Sequence, residues 1–170
     1  MIQRLTAACR SPGVTDIAFA RVLHVLAVVH WIGGVSMVTL VILPAIKHFA
    51  EPARRQSLFE SVERRFSGQA RISVTLAGLS GFYMTYRLDA WYRFLDPAYW
   101  WMHAMVLVWL LFTFILFIAE PLFMHKILRC HAATDPLRVM HFIQYSHWML
   151  LFISATTVVA AVLGAHGVLI

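Results

Sequence analysis

The chain has 170 residues, 61% of them apolar and 13% charged, whereas an ordinary soluble domain carries about a quarter charged residues. Too few polar groups are present to coat a globule, so a soluble fold is excluded and much of the apolar surface must face lipid. The formal charge of +6 is scattered over helix ends and short connections. That pattern fits membrane topology and anionic headgroups, and it speaks against nucleic acid as a partner.

In chain order, Met1 to Gly13 contains Arg4 and Arg10 but no apolar core of signal-peptide length, so the helix that follows is expected to be retained. The first apolar run, 17–46, is interrupted by Arg21, His24, His30 and the Gly33-Gly34 pair, and closes at Lys47-His48. It is long enough to span with tilt. From Glu51 to Ser67 the composition changes: Leu58, Phe59, Val62 and Phe66 share one helical face among Arg54, Arg55, Arg64 and Arg65. This pattern predicts a short interfacial amphipathic helix.

A second span is expected over 71–87, where Gly78 and Gly81 would let a neighbouring helix approach closely. A polar and aromatic loop, 88–98, leads to a third span over 99–123, which opens with Trp100-Trp101 and carries Glu120-Pro121 near its end. The fourth covers 140–168. The expected fold is therefore all-α, a single transmembrane domain over 1–170 built as a four-transmembrane-helix bundle.

The first and third connections hold Lys47, Arg54, Arg55, Arg64, Arg65, Arg71, Lys126, Arg129 and Arg138, nine basic residues, against five (Arg4, Arg10, Arg21, Arg87 and Arg93) on the other side. The richer side should be cytoplasmic, with both termini extracytoplasmic. Cys9 and Cys130 would then lie on opposite sides of the membrane, and no disulfide framework or CxxC motif arises.

Nine histidines in so apolar a chain need a chemical account, because ionisable groups within a span are costly and tend to mark function. From the helical rise, His24 lies about 15 Å and His103 about 13 Å toward the extracytoplasmic side. The two could meet at one level. His30 lies deeper, about 6 Å from the midplane, and is rotated about 120° from His24. Two inward imidazoles from different helices, with aromatic side chains around them, form a natural axial pair for haem iron. The same imidazoles suit copper, and Met37, Met84, Met102 and Met105 could add thioether ligands for Cu(I). The plain structural alternative is that each His bonds a neighbouring helix and the Met residues fill the core. Toward the cytoplasm, Glu120 and Arg71 fall at similar depth and should pair, with His147 nearby as a second polar site and His141 on the same helix. No HExxH spacing is present, which argues against a zinc hydrolase.

Leu23-His24, followed seven residues later by Trp31-Ile32-Gly33-Gly34, and Trp101-Met102-His103-Ala104-Met105 at the start of the third span resemble the membrane family that contains HemJ and the CopD copper-resistance proteins. Arg71 and Gly81 fall where that pattern has an Arg and a Gly in its second span. The resemblance implies haem b, with His24 as axial ligand, His103 as a functional residue, and His30, Trp31, Gly34 and Met105 around the cofactor. It also implies a multi-pass protein of a bacterial-type inner membrane. The HemJ branch consists of protoporphyrinogen oxidases and the CopD branch of copper uptake or tolerance proteins. Met105 stands where the HemJ pattern has Lys and cannot shuttle a proton, and Gly33-Gly34 leans toward CopD. The readings left open are a haem-dependent oxidoreductase acting on a porphyrin- or quinone-like substrate, a copper transport or copper-binding protein, and an accessory subunit of a larger membrane enzyme. A redox partner and a homodimer also remain open.

Overall fold

The computed structural model describes residues 12–124 and 136–168. Among these every regular element is helical. Helix α1 (Pro12–Met37) opens on a proline, whose missing N–H costs nothing in a first turn. It runs through a π-helical turn (Val38–Ile42) into α2 (Leu43–Phe49). Ala50 and Glu51 are then extended before Pro52, because a residue preceding proline is pushed out of the helical region.

Helix α3 (Pro52–Arg87) is 36 residues long and ends as Asp89 turns left-handed at φ 49°. Two 3-10 turns, Ala90–Phe94 and Pro97–Tyr99, form the connection, the second capped by the Asp96 carboxylate accepting from the Ala98 N–H. Helix α4 (Trp100–Phe114) passes into a second π-helical segment, Ile115–Met124, and α5 (Pro136–Ala165) completes the described chain.

Among the described residues three stretches are long and apolar enough to cross a membrane: Val14–Phe49, Pro97–Leu122 and Leu137–Ala165. Most large apolar side chains along them point outward, among them Phe19, Leu26, Val29, Leu107 and Phe152, as expected of helices solvated by lipid. The expected spans at 17–46, 99–123 and 140–168 correspond to these stretches. The expected second span lies within α3, which falls outside that class because even its apolar half is bounded by Arg71 and Arg87 and carries Ser73, Thr75, Ser80 and Thr85.

The separate interfacial helix expected between 51 and 67 is not formed. Gly68 weakens the helix between Ser67 and Arg71 but does not stop it, and α3 runs through without a break. Its apolar face also lies on protein: Phe59 is 1% exposed and packs with Val38, Leu43, Ile46, Val139, Met140 and Ile143. Helix α1 packs chiefly on α3, and α4 on α5. The central core joins Trp31 and Val35 of α1, Ala70 and Val74 of α3, and Val108, Phe112 and Leu116 from the third apolar stretch.

Candidate functional site

His24 sits at the α1–α3 contact. Its Nδ1 lies 2.8 Å from the Ala77 carbonyl and 3.2 Å from Ser80 Oγ. A carbonyl only accepts, so Nδ1 carries the proton, and the neutral ring presents its Nε2 lone pair. Gly81 makes room for the ring, since a Cβ there would lie 3.2 Å from His24 Cε1. An imidazole tied by one nitrogen to a backbone carbonyl and free at the other is the arrangement that orients a metal-ligating histidine. In its donor chemistry His24 therefore fits haem or a soft metal ion.

His103 is held by other partners than His24. It is exposed on α4, donates from Nε2 to the Phe94 carbonyl at 3.0 Å, and packs edge-on against the Phe94 ring. Its free nitrogen is Nδ1, the opposite choice from His24. The expected axial pair thus has two different sets of neighbours. His30 is exposed on the outer side of α1. Met105 packs beside Trp101, Met102 and Ala160 as core, while Met37 is exposed. Gly34 receives the Phe66 ring from α3, which makes its bare backbone a seat for a neighbouring helix.

The second polar site is assembled as a cluster. Arg71 Nη2 lies 3.5 Å from Glu120 Oε2, with the Glu120 side chain only 6% exposed. Arg71 Nε donates to the Leu116 carbonyl at 2.9 Å. In the π register that carbonyl would meet the nitrogen of Pro121, which bears no hydrogen, so the guanidinium supplies the missing donor. His147 donates from Nδ1 to the Ile143 carbonyl at 2.9 Å and stands edge-on to Phe59.

Glu120 and His147 share the lining of a cavity of about 360 Å³ with Trp31, Phe59, Phe112 and Glu63. Glu63 was not expected here, because it lies in the stretch read as an interfacial helix. The signal for it is a stripe of α3 at helical spacing, Phe59, Glu63, Phe66, Ala70, Val74 and Ala77, in which one carboxylate interrupts an otherwise apolar buried face. Glu63 precedes the apolar half of α3. Burial first, then the charges of Glu120 and Glu60, push its carboxyl up to about 7. Its Oε2 and the indole Nε1 of Trp31 are both buried without a hydrogen-bond partner. Among the described residues no three His, Cys, Asp or Glu side chains are grouped to hold a metal ion. Cys9, Cys130, His125 and His131 lie outside the described residues.

Comparison with family models, with curated proteins and with solved structures gives no match.

Proposed function

We propose that this chain is a four-span membrane protein of the HemJ/CopD type that binds haem b through His24 and has a redox role. The observation that carries the proposal is the His24 ring, with its Nδ1 proton on the Ala77 carbonyl and the Nε2 lone pair left free within an apolar helix contact. Haem iron, when bound, supplies one-electron chemistry; the protein's part is ligation, exclusion of water and control of potential through burial. His24 and Gly81 act together in this, the glycine leaving space for a ring that the Ala77 carbonyl orients. His103, tied to Phe94, has a role other than partner ligand to His24.

The packing of α3 along α1 supports the reading of four spans. Arg87 reaches Asp16 at 3.9 Å, Ala77 and Ser80 meet His24, Gly34 meets Phe66, and Phe59 packs against Leu43 and Ile46. Helix α3 thus accompanies α1 antiparallel over most of its length, and if α1 crosses the bilayer then α3 crosses beside it. Its hydroxyls are satisfied locally: Thr75, Ser80 and Thr85 donate to carbonyls one turn back. The excess of basic residues supports an orientation with both termini extracytoplasmic, and the HemJ/CopD resemblance supports a bacterial-type inner membrane.

The test is an absorption spectrum of the detergent-purified chain, oxidised and dithionite-reduced, with His24→Ala and His103→Ala alongside. The expected result is a reduced α-band that disappears in His24→Ala and persists in His103→Ala. A featureless spectrum after haem supplementation overturns the proposal. Stoichiometric Cu(I) binding would then favour the copper reading, and binding of neither would favour an accessory subunit.

A further inference from the structure

His24, His103 and His147 each have a backbone carbonyl to bond. His30 differs from all three: it is exposed on the outer side of α1, and the described residues give it no hydrogen bond. It sits near the middle of the stretch Val14–Phe49, too deep for a side chain of its length to reach the headgroups. Lipid tails offer an imidazole neither a donor nor an acceptor, and ionisable groups at such depth are found paired with one another or with backbone carbonyls. The ring therefore needs a partner from outside the fold of its own chain.

The face that carries His30 has the spacing of a helix-pairing seam. Phe19, Leu26, His30, Gly33 and Met37 follow one another at intervals of 7, 4, 3 and 4, the a/d repeat of a left-handed coil, and all five are exposed. They extend over about 27 Å of α1, most of the hydrocarbon thickness. A Cβ at Gly33, one turn from His30, would meet nothing within 4 Å, so the space beside the imidazole is open and a second backbone can come close. Gly34, by contrast, is filled by Phe66 of α3. One glycine of the pair receives a helix of the same chain, and the other is left bare.

The chemistry of the ring and the symmetry of the membrane name the occupant. A neutral imidazole carries one N–H donor and one lone pair, so it is complementary to itself: one ring donates and the other accepts. Two copies inserted in the same orientation are related by an axis along the membrane normal, which sets α1 parallel to α1 and brings each seam residue against its own counterpart. His30, at an a position, then meets His30, and a single polar pair within an apolar seam fixes register and pairing. A different protein would have to bring a matching polar group at the same depth; a second copy already carries it.

We propose that this chain forms a parallel homodimer through the outer face of α1, with the two His30 rings hydrogen-bonded across the two-fold axis. The pairing uses no atom of the His24 site, and its test needs no haem.

Association is measured in liposomes with Cys130→Ser protein labelled at Cys9 by donor or acceptor maleimide, following Förster transfer as the protein-to-lipid ratio is varied. The expected result is transfer that saturates at the level of a dimer, with association at least threefold weaker in His30→Leu and in Gly33→Phe. His30→Asn, which keeps a donor and an acceptor, should associate within twofold of wild type. Register is read separately by oxidative cross-linking of single-cysteine variants that lack Cys9 and Cys130: Gly33→Cys should give a disulfide-linked dimer, and Phe152→Cys, on the outer face of α5, should not. Association of wild type equal to that of His30→Leu or Gly33→Phe overturns the proposal, as does cross-linking through Phe152→Cys in preference to Gly33→Cys. His30→Asn as weak as His30→Leu overturns it too, since packing and not a hydrogen bond would then hold the face. Transfer no higher than that of randomly placed monomers overturns it and leaves His30 to a different membrane partner.

Discussion

His24 and His103 carry the same ring but are left with opposite nitrogens free, and the difference comes from which carbonyl each one meets. The sequence places both at one depth; it does not show that the loop ahead of α4 brings Phe94 to His103, because that depends on how two 3-10 turns fold back. The role of Gly81 is likewise visible only once α1 and α3 are side by side. Substituting Gly81→Val puts carbon within about 3 Å of the imidazole and should tilt it off the Ala77 carbonyl. We expect haem content at least threefold below wild type, read from the pyridine haemochrome, while Gly33→Val, where a Cβ meets nothing within 4 Å, leaves it unchanged. Glu63 supplies a pH dependence. Its carboxyl is raised from 4.5 to about 7, so the folded state binds the proton more tightly than the unfolded one. The associated stability is present below about pH 4.5 and is lost as pH rises through about 7. At about 1.4 kcal/mol per tenfold, the effect is at most about 3 kcal/mol. The apparent Tm in detergent should fall across that window, and Glu63→Gln should remove this part of the fall; an identical pH profile in the variant would refute the assignment.

At the scale of elements, the two π-helical segments are where local sequence and tertiary structure diverge most. The apolar runs are legible from composition, since lipid-facing helices need only length and hydropathy. The junction at Ser67 to Arg71 is not, because a change from charged to apolar composition beside Gly68 resembles a boundary, whereas one glycine inside a long packed helix is tolerated. The pairing of Arg71 with Glu120 follows from depth, but the second bond of Arg71 does not. It arises because Pro121 denies the Leu116 carbonyl a donor within a widened turn. Arg71 is therefore needed twice, for a charge and for a carbonyl. Arg71→Met should destabilise the fold by about 2 kcal/mol, less than a fully buried pair would lose because the guanidinium is partly exposed. Adding Glu120→Gln should restore only the charge part. Adding Pro121→Ala, which returns a backbone N–H, should restore a further share. Urea or thermal melts of the single, double and triple variants check this, and full recovery with Glu120→Gln alone would show that the Leu116 bond contributes nothing.

At the scale of the whole molecule, everything inferred about the two ends of α3 depends on whether that helix crosses the bilayer. Among the described residues composition alone selects three helices able to cross, while the contacts of α3 run from Phe59 beside Ile46 to Arg87 beside Asp16 along one of those three. The two cysteines decide between these pictures. Cys9 precedes the first apolar stretch, and Cys130 follows the stretch that ends at Leu122. If α3 crosses, three crossings separate the cysteines and they lie on opposite sides. If α3 stays on one face, only two crossings separate them and they lie on the same side. With both termini extracytoplasmic, a membrane-impermeant maleimide applied to intact spheroplasts should label Cys9 and spare Cys130, scored in Cys9→Ser and Cys130→Ser variants and repeated after permeabilisation to show that both thiols react. Labelling of Cys130 alone would keep four spans and invert the orientation, which would mean that nine basic residues against five do not set the topology here. Labelling of both or of neither in intact spheroplasts, with both reactive after permeabilisation, would take α3 out of the bilayer. His24 would then pack against a helix outside the membrane, and the cavity lined by Glu63 would open to water instead of lipid.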